Sequence, residues 1–228
     1  MKTSILVLAA HPDDEVLGCG GTIARFASEG CSVHVAFLAD GVTARSDGSR
    51  GAKQPELAAR RSAADKAGHI LGVSSMSFGD LPDNRLDTIA LLDIVKIIEE
   101  LIETHRPTMV LTHHAADVNI DHRRIHDAVA VACRPQSGRS VKTVLSFEVP
   151  SSTEWQFPAV MPAFAPNWFF DISSFLDRKL QALEAYAVEL REWPHPRSRS
   201  GVQHLARWRG ACVGVDAAEA FILGRQLS

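Results

Sequence analysis

Near its start the chain reads Ser4-Ile-Leu-Val-Leu-Ala-Ala10 and then turns abruptly to His11-Pro12-Asp13-Asp14-Glu15. Ile5 to Ala9 form an apolar run of strand length that does not alternate, the pattern of a strand covered on both faces in a parallel sheet. Pro12 ends it, because proline cannot donate to a sheet ladder. Beyond it Val16, Leu17, Ile23 and Phe26 supply the apolar face of a helix. One imidazole and three carboxylates therefore lie between the carboxyl end of a strand and the amino end of a helix, where open α/β sheets place their ligands. Two readings of the cluster stand. Acids in a first helical turn cap the helix and oppose its dipole, which suffices for Glu15. His11 and Asp14, three residues apart, also suit a shared divalent metal, with Asp13 beside them as a base that does not coordinate.

Strands and helices then alternate. Apolar segments at 31–39, 74–78, 108–112 and 141–149 read as strands, and helical patterns fill 55–71, 86–105 and 123–133. Such alternation over about 150 residues predicts βαβ units with right-handed crossovers, hence a Rossmann-like α/β fold with a mostly parallel sheet flanked by helices. The fourth strand, like the first, ends in a polar cluster: His113, His114, Asp117, Asn119, Asp121 and His122. In the strand order 3-2-1-4-5, strands 1 and 4 are neighbours at the switch point, so the two clusters would meet across one crevice. The polar, glycine-containing loop 40–53 reads either as a lid or sugar-binding loop or as plain disorder.

The remainder is an irregular C-terminal extension. It reads as a proline-broken segment over the site, a last strand at 167–172, a helix over 173–191, a rigid turn at 192–198, and two short helices at 201–212 and 216–223. One domain, 1–228, is expected, with an α/β core at 1–150 and a loop and helical extension over the site at 151–228.

Composition excludes some classes. With 46% hydrophobic and 22% charged residues, 228 residues bury one ordinary core. A net charge of −3 argues against a nucleic-acid surface, since the basic residues are scattered apart from an arginine-rich stretch at 191–209. No run approaches the roughly 18 apolar residues of a membrane span, and the charges at 11–15 interrupt residues 1–10 before a signal-peptide core forms. A cytoplasmic location is expected. The widely spaced Cys19, Cys31, Cys133 and Cys212 read as reduced thiols and not as a zinc site.

Ala10-His11-Pro12-Asp13-Asp14-Glu15 after an N-terminal strand, followed by Gly20-Gly21-Thr22, resembles the opening signature of the PIG-L (LmbE-like) zinc N-deacetylases. Asn119-Ile120-Asp121-His122-Arg123 resembles the second metal motif of that family. The resemblance implies Zn2+, or another divalent ion such as Fe2+, held by His11, Asp14 and His122, with Asp13 as base. It further implies a small-molecule substrate, an N-acetylated amino sugar or its conjugate, that loses acetate. Arg60 falls where the family has an arginine reaching the substrate. His195, in Pro194-His195-Pro196-Arg197-Ser198, resembles a C-terminal histidine that sugar deacetylases bring to the site, in some cases from a neighbouring subunit, and a homo-oligomer is expected.

Many members have a histidine three residues before the second-cluster ligand, where it is thought to steady the oxyanion. Here the position is Asn119, an amide that can donate a hydrogen bond but cannot act as an acid. Asp117 reads either as loop-forming or as an acceptor for a substrate hydroxyl, and Asp121 as a partner orienting a ligand imidazole. Trp155 either stacks on a sugar ring or plugs the core. His113 and His114 read as structural. Two rival readings are a nucleotide-binding module built on Gly18, Gly20 and Gly21, whose spacing departs from Gly-x-Gly-x-x-Gly, and a catalytically silent relative.

Overall fold

The computed structural model describes residues 3–41, 53–157 and 161–227. Most of the loop expected as a lid, 42–52, lies outside the described residues. Among these residues seven strands form one sheet: β1 (Ser4–Ala9), β2 (Ser32–Ala39), β3 (Ser75–Leu81), β4 (Met109–His113), β5 (Thr143–Phe147), β6 (Trp168–Asp171) and β7 (Ala218–Gln226). The order is β3-β2-β1-β4-β5-β7-β6. The first five are parallel, in the expected order 3-2-1-4-5, and β7 adds antiparallel to β5 and β6. Six helices flank the sheet among the described residues: α1 (Asp14–Ser28), α2 (Lys53–Leu71), α3 (Leu91–His105), α4 (Ile120–Ala132), α5 (Leu176–Glu184) and α6 (Arg199–Ala211).

β1 explains why its sequence does not alternate. Ile5, Val7 and Ala9 pack under α1, α2, α5 and α6, whereas Leu6, Leu8 and Ala10 pack under α3 and α4. Both faces of the strand are dry, so both must be apolar.

Two expectations for the C-terminal extension fail. Residues 216–223, rich in the helix formers Ala, Glu and Leu, contribute to strand β7 and form no helix. Their backbone pairs with both β5 and β6, and Phe221 is fully buried. Tertiary pairing overrides local propensity here. The helix expected over 173–191 is a single 3-10 turn at Ser173–Phe175 followed by the nine residues of α5. The extension is therefore more than loops and helices, since it supplies two strands of the sheet.

Helix α1 is bent at Cys19 (φ −146°, ψ 22°). The bend frees backbone donors, and the N–H groups of Gly21 and Thr22 donate to the two carboxylate oxygens of Glu219 on β7, at 2.9 and 2.6 Å. Lys179 of α5 pairs with Glu219 and also donates to Leu17 O. The glycines of this helix serve packing: a Cβ on Gly18 would lie 2.3 Å from the Phe147 ring, and one on Gly21 2.6 Å from Ile172. That role displaces the reading of a nucleotide loop.

Candidate metal centre

The two polar clusters meet because β1 and β4 are adjacent parallel strands that end at the same edge of the sheet. His11 follows β1, Asp14 opens α1, and His122 lies in the first turn of α4. Asp14 Oδ2 stands 3.4 Å from His11 Nδ1 and 3.2 Å from His122 Nε2, and it accepts the backbone N–H of His11 at 2.9 Å. One ligand atom from each of the three lies within 4.8 Å of the others.

The remaining nitrogen of each imidazole is held by carboxylates. His11 Nε2 lies 3.0 Å from Asp121 Oδ2 and 3.0 Å from Asp83 Oδ1. Asp121 is itself fixed by the N–H groups of Asn84 and Leu86. His122 Nδ1 lies 3.2 Å from Asp117 Oδ1. This is the arrangement that sets tautomer and ring direction in metal-binding histidines. It also favours positive charge on the two rings. Burial works against a charged His122, yet the carboxylates of Asp14 and Asp117 outweigh it and raise its pKa to about 9. Burial likewise opposes charge on His11, but Asp121, Asp14 and Asp83 carry its pKa well above the ordinary histidine value. The carboxylates of Asp14, Asp83, Asp117 and Asp121 thus favour positive charge here, which a proton on each ring or a metal ion in place of protons supplies. His11, Asp83 and Asp121 form a second group with ligand spacing, which uses the nitrogen of His11 turned away from Asp14.

A cation fits what the side chains leave unsatisfied. Among the described residues, Asp14 Oδ1 and His122 Nε2 are buried and make no hydrogen bond, a condition rare for polar atoms in a folded interior; the 3.2 Å approach of His122 Nε2 to Asp14 Oδ2 is a charge contact only. Two imidazole nitrogens and a carboxylate make a donor set suited to Zn2+ and acceptable to other borderline divalent ions.

Asp13 adjoins this group with an unusual backbone, φ 119° and ψ −27°, and its side chain makes no capping bond to α1. Its N–H donates to Glu15 Oε2, and the Tyr186 hydroxyl donates to Glu15 Oε1 at 2.6 Å. Burial pushes Glu15 up to about 8. Burial also pushes Asp13 up to about 6, with the positive charge of Arg197 opposing the rise. Arg197 Nη1 donates to Asp13 Oδ2 at 3.1 Å.

The other expected residues are distributed as follows. Asp117 is fully buried and accepts from the Ser152 hydroxyl, from Thr153 Oγ1 at 2.6 Å and from the Asn119 N–H at 2.8 Å. It faces His122 and supports it, with no exposed oxygen to offer a substrate. Asn119 is the N-cap of α4, its side-chain oxygen accepting the N–H of Asp121. Arg60 pairs with Glu189. Trp155 is half exposed and stands edge-on to His195, ring centroids 5.6 Å apart. It is therefore not a core plug. His113 stacks flat on His122, accepts the Ala10 N–H and forms a wall of the site. Arg197 was not singled out as a site residue from sequence, and Asp83 read as turn-forming in preference to a substrate contact. The only hint at Arg197 was its place in the Pro-His-Pro-Arg-Ser turn, and for Asp83 a turn composition that hid its role.

An α/β sheet with two histidines and an aspartate gathered at the switch point defines the chain as a protein of the Rossmann-like class with a candidate metal centre. The family described as GlcNAc-PI de-N-acetylase (PIG-L) matches residues 6–133, and the chain belongs to that family. It is 30% identical over 196 residues to diacetylchitobiose deacetylase of Thermococcus kodakarensis, covering 82% of this chain and 70% of that protein. It is also 30% identical over 214 residues to 4-oxalmesaconate hydratase of Pseudomonas putida, covering 85% of this chain and 77% of that one. Among solved structures, a conserved protein of Thermus thermophilus superposes with a TM-score of 0.76 at 26% identity, covering 98% of this chain and 96% of the other.

Proposed function

We propose that the chain is a zinc-dependent hydrolase that removes the N-acetyl group from an N-acetylated amino sugar or its conjugate and releases acetate. The observation that carries the reading is the pair of orphaned buried atoms on Asp14 and His122, within ligand distance of His11 and beside Asp13, in a member of this family. His11, Asp14 and His122 would hold the ion. Zinc bound there supplies a Lewis acid for the amide carbonyl and lowers the pKa of water from ~15.7 toward ~7. Asp13, adjacent to the ligands and not one of them, takes the proton from the attacking water. Asn119 has its side-chain oxygen committed to α4, which leaves its NH2 to donate to the oxygen of the tetrahedral adduct. The departing amine takes its proton from Asp13 in its acid form or from His195. Trp155, half exposed near His195, offers a face for the sugar ring, and Arg60, paired with Glu189, is the remaining substrate contact.

The hydratase relative favours a second reading, addition of water to the carbon–carbon double bond of a small carboxylate, for which the same activated water would serve. A panel of N-acetylglucosamine, N,N'-diacetylchitobiose, a nucleotide-linked N-acetylglucosamine and an unsaturated dicarboxylate separates the two. Acetate from at least one sugar with zinc-loaded protein is expected. Hydration of the dicarboxylate with no acetate from any sugar would replace the deacetylase reading.

A further inference from the structure

We propose that Arg197 is the positioning residue for the base: its guanidinium, tied at one end to Ser151, fixes the carboxylate of Asp13 beside the metal ligands. The inference rests on the deacetylase reading of Asp13. It extends the catalytic centre into a part of the chain that the family match, which ends at residue 133, does not reach.

Asp13 needs holding. Its φ of 119° lies in the left-handed region, where a residue bearing a Cβ is strained and persists only if its surroundings over-determine it. The backbone tether runs from its N–H through Glu15 to Tyr186. The side-chain tether is Arg197. Nε donates to Ser151 Oγ at 2.7 Å, and Nη1 donates to Asp13 Oδ2 at 3.1 Å. A planar fork clamped at two points sets a direction as well as a charge, which a lysine ammonium does not.

The clamp is itself anchored. The backbone N–H of Arg197 donates to His195 Nδ1, and the N–H of Ser151 donates to Glu154 Oε1. Side-chain exposure is 21% for Arg197 and 4% for Asp13, so the pair is shielded from most solvent screening. Arg60, a second cation near Asp13, is paired with Glu189. Orientation of Asp13 thus falls to a residue 184 positions away, on the turn that also bears His195.

The test uses the zinc-loaded full chain, with N,N'-diacetylchitobiose as probe and acetate as product. Arg197→Ala is expected to lower kcat by about 10–100-fold, a part of the roughly 10²–10⁴-fold that a positioned base contributes. KM and bound zinc should stay within twofold of the parent. Arg197→Lys should recover only part of the loss, and millimolar guanidinium should raise kcat several-fold in Arg197→Ala and not in Asp13→Asn. Unchanged kcat in a folded variant would overturn the inference. So would a rise in KM at constant kcat, which would make Arg197 a substrate contact, or a loss of zinc in proportion to activity, which would make it a structural bolt. Should Arg197→Ala not fold, Arg197→Lys carries the test: parental kcat in that variant refutes the clamp. A parent that releases no acetate from any sugar of the panel overturns the deacetylase reading and this inference with it, whereas active parent with unaffected variants overturns this inference alone.

Discussion

Asp13 and Asp14 are chemically identical neighbours with different tasks, and their surroundings separate them. Asp14 Oδ2 faces two imidazole nitrogens, whereas Asp13 Oδ2 faces a guanidinium. Asp13→Asn should therefore retain about one zinc per chain while losing on the order of 10²–10⁴-fold in acetate release. Metal analysis alongside the assay checks this, and parental turnover would refute the role of base. Asp117→Asn should do the reverse, weakening zinc affinity about 10–100-fold by loosening His122, as read from competition with a chelator. The legibility of these residues in sequence follows the same physics. His11, Asp13 and Asp14 are adjacent, so local order alone betrays them, and His122 sits in a short motif of its own. Arg197, Asp83 and Glu189 act only through contacts made by folding, which no local pattern records.

Among the elements, α1 and β7 depend on each other. The bend at Cys19 leaves the N–H groups of Gly21 and Thr22 to Glu219, whose charge Lys179 balances in a buried setting. Lys179→Met leaves a buried carboxylate unpaired and should cost about 3–5 kcal/mol in urea unfolding. Adding Glu219→Gln, which keeps an acceptor but removes the charge, should restore part of that loss. Gly18→Ala would press a methyl into Phe147 and should cost about 1–3 kcal/mol. The non-alternating strand β1 and amphipathic α3 were legible because their burial is written in periodicity. β7 was not, because Ala, Glu and Leu favour a helix until a sheet edge offers backbone partners on both sides.

At the scale of the whole molecule, the order β3-β2-β1-β4-β5 brings the ends of β1 and β4 together, and the site follows from that adjacency. This much was readable from the alternation of strands and helices, because right-handed crossovers leave few ways to arrange them. The extension was less readable. It returns to the sheet as β7 and β6, and on the way its turn at 193–197 brings Arg197 onto Asp13. No helix among the described residues is long and apolar enough to cross a membrane.

The central claim is that His11, Asp14 and His122 jointly hold one ion on which turnover depends. The direct measurement is to strip the purified protein of metal with dipicolinate, confirm its fold by circular dichroism, and titrate zinc back while following acetate release. Activity should vanish on stripping and return in full at one equivalent per chain, with His122→Ala neither binding that equivalent nor regaining activity. Undiminished acetate release from metal-free protein would contradict the account.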